Sequence, residues 1–80
     1  MKLPRNLSGE SLAAALCRSW SYERIHQSGS HIILQTETPK RHRVAVPNHV
    51  TLRIGTLNGI LRNVASVKGV DRGAILASIR

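Results

Sequence analysis

The sequence predicts an α+β fold, one three-stranded antiparallel sheet with helices packed on one face and a short helix at the C-terminal end. Three observations carry this. A Leu/Ala-rich stretch of helical period follows Ser8, three short β-prone runs separated by turn residues span 19–46, and a second apolar stripe of helical period follows Gly55. Three consecutive strands joined by short turns pair antiparallel, since parallel pairing needs long crossovers.

Ser8 is the expected N-cap of the first helix. Leu7 and Leu12 take the hydrophobic-staple positions, and Glu10 lies in the first turn, where the helix dipole favours an acid. Leu12, Ala15 and Leu16 then keep a helical period, so helix 1 is expected over 9–19. "SWSYERIH" (19–26) reads as strand 1 and "SHIILQT" (30–36) as strand 2, with Ser28-Gly29 as the turn between them. "TETPKR" (36–41) is a loop, because Pro39 has no ladder donor. "HRVAV" (42–46) reads as strand 3 with Val44 and Val46 on one side, ended by Pro47-Asn48. Gly55 or Thr56 caps the next helix, in which Leu57, Ile60, Leu61, Val64 and Val67 form one stripe; Lys68 lies in its last turn and Gly69 just beyond. Asp71 is the expected N-cap of a short helix over 72–79, with Ile75, Leu76 and Ile79 inward and Gly73 weakening it. This α-β-β-β-α order is the architecture of double-stranded-RNA-binding domains, here expected as a single domain over 1–80 without repeats or linkers.

Charge points to the partner. Twelve Lys and Arg against four acids give +8 and a sequence pI near 11.5, which argues for a polyanion, most often nucleic acid. Arg dominates the cations, favouring bidentate phosphate contacts, and Arg24, Lys40, Arg41, Arg43, Arg53 and Arg62 lie mid-chain rather than in a tail. Trp20 and Tyr22 are the only aromatics, so shape-and-phosphate binding is favoured over stacking of splayed bases. Cys17 stands alone, which excludes an internal disulfide, fits a reducing cytoplasmic setting and reads as a small core hydrophobe. No run reaches the roughly 18–20 apolar residues of a membrane helix. "MKLPRNL" has no signal-peptide core, and a start at Met1 suggests a complete small gene product.

Four histidines are the candidate chemical groups: His26, His31, His42 and His49. They show no metal-ligand spacing, the acids Glu10, Glu23, Glu37 and Asp71 are scattered, and no phosphate-binding or dinucleotide motif occurs, so no cofactor is expected. Histidine can exchange a proton near neutrality, and RNA carries its own nucleophile in the 2′-hydroxyl. A turn at Ser28-Gly29 would place His26 directly opposite His31, with Arg24 and Ile33 next on that face and Ile25, Ile32 and Leu34 toward the helices. The same register puts Trp20 and Tyr22 on the open face and Glu23 in the core, which a β-bulge in strand 1 would repair. On residue physics alone a strand histidine beside a turn is more often a solvated polar residue. His42 reads as solvated; His49 as a turn or cap residue or an RNA contact. Lys40, Arg41 and Arg43 are the densest basic cluster and candidate RNA-backbone contacts, with a solvated loop as the alternative. Thr56 reads as a plain cap or a phosphate site.

Taken together, "PRNLSGESLAAAL", "SYERIHQSGSHIIL", "RVAVPNH" and "GTLNGILRNVASVKGVD" resemble the HicA mRNA interferase toxins, from about Leu3 to Leu76. The resemblance is most specific at Gly29-Ser30-His31, Val46-Pro47-Asn48-His49 and Gly55-Thr56-Leu57. It implies a dsRBD-like fold and a toxin of a type II toxin–antitoxin system that cleaves mRNA without a metal. It also implies a HicB-type antitoxin that covers the active site. The family's catalytic histidine falls on His31. His26 and Ser30 are candidates for catalytic support, and Arg24, Lys40, Arg41 and Arg43 for RNA binding. The chain departs from the family at Ser21, where Gly is common, and at His26, where Arg is common. Two other functions stand against this one: a non-catalytic double-stranded-RNA-binding module, and an inactive toxin homologue retained as an interaction partner.

Overall fold

The computed structural model describes residues 3–79; Met1, on which the expectation of a complete gene product rests, lies outside the described residues. The elements are α1 (Gly9–Ser19), β1 (Glu23–Ser28), β2 (His31–Thr36), β3 (His42–Pro47), α2 (Ile54–Lys68) and α3 (Arg72–Ala77). The strands form one antiparallel sheet in the order β1-β2-β3. This is the expected dsRBD-like α+β arrangement.

Side-chain alternation divides the sheet into two faces. Ile32, Leu34 and Thr36 of β2 and Val44 and Val46 of β3 are buried against the helices. Their intervening neighbours, from His31 and Ile33 to Arg43 and Ala45, lie on the open face. Leu12, Ala13 and Leu16 of α1, Leu57, Ile60, Leu61 and Val64 of α2 and Ile75 of α3 complete the core. Each fully buried Leu or Ile contributes about 1.5–3 kcal/mol by leaving water.

α1 matches its expected span. Ser8 caps it, its hydroxyl accepting from the Ser11 amide at 3.0 Å. α2 begins earlier than expected, with Arg53 and not Gly55 or Thr56 at the N-cap, and no side chain caps it. The reason is Leu52, which is buried and donates its amide to the Leu7 carbonyl at 2.7 Å. That anchor fixes the chain just before Arg53, and the helix starts there. Gly69 closes α2 in the left-handed region at φ 68°, with the Val70 amide donating to the Ala65 carbonyl at 3.0 Å. α3 stops at Ala77, short of the expected 79. Ser78 ends it by donating its hydroxyl to the Ile75 carbonyl, while accepting from the Trp20 indole at 2.9 Å and, at its own carbonyl, from Arg18 at 2.9 Å.

β1 departs most from expectation. It begins at Glu23 because residues 20–22 turn the chain out of α1. Ser21 carries the described residues' one positive φ outside glycine, 61°, and Tyr22 donates its amide to the Leu16 carbonyl. Tyr22 is 2% exposed and belongs to the core, not to the open face. The anticipated bulge lies between Arg24 and His26. It puts Glu23 opposite Gln35 on the open face and leaves Ile25 43% exposed rather than facing the helices. Arg24 pairs with Leu34 on the helix side and forms an ion pair with Glu10 of α1, so it does not share the face of His31.

Candidate active site

The β1–β2 turn positions His31. Its two central residues are Gly29 and Ser30, not Ser28 and Gly29, and Ser28 pairs with His31 across it. The backbone explains the shift. Gly29 has φ 55°, and glycine with positive φ at the first central position matches a type II′ turn. Placing Gly29 second would require either a type I′ turn, with Ser28 at positive φ as well, or a type II turn, whose twist splays the strands. His26 consequently pairs with Ile33, and the expected direct His26–His31 pair does not form. The two imidazoles still share the open face as diagonal neighbours, a relation of roughly 7–8 Å between antiparallel strands.

Three segments far apart in the sequence meet at this end of the sheet. His31 pairs with Pro47, the Asn48 amide donates to the Ser30 carbonyl at 2.5 Å, and the Gly9 amide donates to the His49 carbonyl at 2.9 Å. His49 therefore serves through its backbone, satisfying one of the free amides at the start of α1. The Leu52–Leu7 bond brings the start of α2 to the same end, whereas Lys68, in the last turn of α2, reaches Thr36 Oγ1 (3.0 Å) at the opposite end. Both long helices thus direct their positive dipole ends toward the end that carries His31. His26, Ser30, His31 and His49 are all exposed there.

The basic cluster lies elsewhere. Arg43 pairs with Gln35, four residues along β2 from His31, a distance of about 13 Å at strand rise. Its guanidinium donates to Gln35 Oε1 at 2.8 and 3.2 Å, and Arg41 Nε donates to Glu37 at 3.2 Å. Hydrogen bonds from Gln35 and then Arg41 hold the Glu37 carboxyl below its usual range. Lys40, Arg41 and Arg43 are exposed but are not brought beside His31. A shallow cavity of about 270 Å³ on this far side is lined by Ser21, Glu23, Ile25, Gln35, Glu37 and Thr38, none of them an expected site residue.

His42 is not the solvated residue expected. It is half-buried, with Nδ1 2.9 Å from Tyr22 Oη and the two rings edge-on at 6.1 Å and 77°. Lys68 Nζ stands 5.0 Å from the centre of the Tyr22 ring. Burial pushes the Tyr22 phenol up to about 12 and holds the His42 imidazolium below its ordinary range, with Lys40 and Lys68 adding to the latter. The phenol thus keeps its proton and the imidazole is favoured neutral; the two share one hydrogen bond whose donor is set by the His42 tautomer. The pairing spans twenty residues of sequence and depends on the bulge, so no local signal announces it. Cys17 packs against the core, and burial raises its thiol, as suits a small hydrophobe. Among the described residues no three His, Cys, Asp or Glu side chains converge in a metal-ligating group.

The family model for the HicA toxin of bacterial toxin–antitoxin systems matches residues 16–65, from the end of α1 through the hairpin and β3 into α2. No curated protein and no solved structure gives a significant match. That family match covers more than half of the chain and includes the turn, the histidine and the strand end that meet at one end of the sheet: the chain belongs to the HicA toxin family, which makes it the toxin of a toxin–antitoxin pair and implies an antitoxin partner.

Proposed function

We propose that this toxin is a metal-independent endoribonuclease acting on mRNA, that His31 is its catalytic residue, and that a HicB-type antitoxin neutralises it. The whole chain would act as one domain. The observation that carries the reading is the placement of an exposed histidine beside a hairpin turn tied by backbone to the end of β3, at the end of the sheet toward which both long helices point their N-termini.

The chemistry follows from that placement. The neutral His31 imidazole takes the proton of a 2′-hydroxyl, and the resulting oxygen attacks the adjacent phosphorus. The P–O5′ bond breaks, leaving a 2′,3′-cyclic phosphate, and the departing 5′-oxygen takes up a proton from an acid. His26, the diagonal neighbour, can supply that proton when it is protonated, and Ser30 can orient the phosphate. Helix dipoles and the +8 net charge favour the phosphate and the negative charge that builds on it. Arg43, Lys40 and Arg41 would follow the RNA backbone along the open face rather than touch the reacting phosphate. Arg24, tied to Glu10 on the helix side, drops out of this role.

The test is incubation of the purified protein with a single-stranded message in EDTA. Cleavage that disappears in His31→Ala supports the reading. Intact RNA with tight binding would favour the non-catalytic module instead.

A further inference from the structure

We propose that Gly9 is a positioning residue for the active site: its missing side chain lets the first turn of α1 lie against the Pro47 carbonyl, and this contact holds the Ser30–His31 end of β2 in place. The inference rests on the assignment of His31 above.

The space is the argument. A Cβ on Gly9 would fall far inside contact distance of the Pro47 carbonyl oxygen, 3.0 Å from its carbonyl carbon and 3.3 Å from Asn48 Cα. All three neighbours are backbone, so no rotamer change can make room. Gly9 needs no glycine for its own conformation. It is the first residue of a helix and has no positive φ, and helix propensity alone would favour alanine there. Gly59, in α2, has nothing within 4 Å of its absent Cβ, and Gly73 meets only the movable Asp71 carboxylate at 3.1 Å, so the clash with backbone is local to Gly9.

The contact leads to the site through backbone alone. The Gly9 amide donates to the His49 carbonyl at 2.9 Å, the Asn48 amide donates to the Ser30 carbonyl at 2.5 Å, and Pro47 pairs with His31. A side chain on Gly9 must therefore separate α1 from the 47–49 turn or push that turn toward the hairpin. Either movement passes to Ser30 and His31, and a 1 Å misplacement in a catalytic site can cost about 100-fold in rate.

The experiment compares wild type, Gly9→Ala and, as a neighbour-free control, Gly59→Ala. Melting is followed by circular dichroism, kcat and KM are measured on single-stranded RNA in EDTA, and the His31 ring resonances are recorded by NMR. All kinetics are run well below each variant's melting transition. In folded Gly9→Ala the His31 resonances should move and kcat should fall by roughly tenfold or more with KM unchanged, while Gly59→Ala keeps the wild-type kcat. A wild-type kcat with unmoved His31 resonances in Gly9→Ala overturns the proposal. If Gly9→Ala does not fold, hydrogen exchange on wild type decides: Gly9 and Asn48 amides exchanging through one shared opening support the contact, and independent exchange overturns it. A wild-type protein that cleaves no RNA defeats the assignment of His31, yet the resonances and the exchange still judge Gly9.

Discussion

At one end of the sheet His31 stands exposed on a turn braced by backbone hydrogen bonds; at the other His42 is half-buried with its Nδ1 2.9 Å from the Tyr22 hydroxyl. The two residues occupy the first positions of neighbouring strands, and both are histidines on a strongly basic chain. What separates them is commitment. His42 is spent on a neutral hydrogen bond beside Lys68, in surroundings that disfavour its charged form. His31 faces solvent on the open side of the sheet, available to a substrate. Residue type thus says little here about role, and burial with partners says much.

The sharpest way to break this contrast is to exchange the two losses. His31→Ala should lower RNA cleavage by about 10²- to 10⁴-fold. It should leave stability within about 0.5 kcal/mol, as expected for an exposed side chain. His42→Ala should do the reverse. It strands the Tyr22 hydroxyl and should cost about 1–3 kcal/mol, with cleavage intact while the protein is folded. Denaturant titration and single-turnover cleavage on both variants check this. Loss of activity in folded His42→Ala would erase the distinction between the two ends.

A smaller effect sharpens the structural side. Ser21 holds φ 61°, a left-handed conformation that costs a non-glycine residue about 1–2 kcal/mol. It is also a position at which the resemblance to HicA toxins leads one to expect glycine. Ser21→Gly should therefore stabilise the protein by up to about 1 kcal/mol, raising Tm by roughly 4–8 °C in a domain of this size. Cleavage should be unchanged, because the turn lies at the His42 end. An unchanged or lower Tm would mean that Ser21 has a compensating role.

Ser21 also marks the boundary of what could be read without coordinates. The element order, the span of α1 with its Ser8 cap and the buried stripe of α2 were legible, because each rests on local spacing. The convergence of Gly29-Ser30-His31 with Pro47-Asn48-His49 was legible only as separate motifs. The hairpin register was not legible, since Gly29 can serve as either central residue of a two-residue turn and one step of register changes every cross-strand partner. The bulge at Ile25 was anticipated only from the discomfort of Tyr22 and Glu23. The Tyr22–His42 pair depends on both, so the sequence around His42 reads as solvated. Gly9 carries no sequence signal of its role, because nothing in its neighbourhood of sequence announces the Pro47 carbonyl.

The smallest expected effect is a matter of pH, and it isolates His42 from the rest of the chain. Its pKa is held below the ordinary 6.5, first by burial and then by Lys40 and Lys68. Between the folded and unfolded values the unfolded chain binds the extra proton, so stability is fully present above about 6.5 and declines as pH falls through the folded value. Glu10 and Glu37 act in a lower window. Arg24 on Glu10, and Gln35 with Arg41 on Glu37, hold these carboxyls below the ordinary 4.5, so their contribution is present above that pH and lost beneath it. Tyr22 acts at the opposite extreme: with its phenol raised from 10.0 to about 12, stability is lost as pH climbs past 10. His42→Gln keeps a hydrogen-bonding group beside the Tyr22 hydroxyl but cannot titrate. Its stability, measured by urea titration across pH 4 to 8, should lose the decline that wild type shows just below 6.5 and keep the carboxylate decline below 4.5. A slope that survives in the Gln variant would place the proton on another group and remove His42 from the pH dependence of folding.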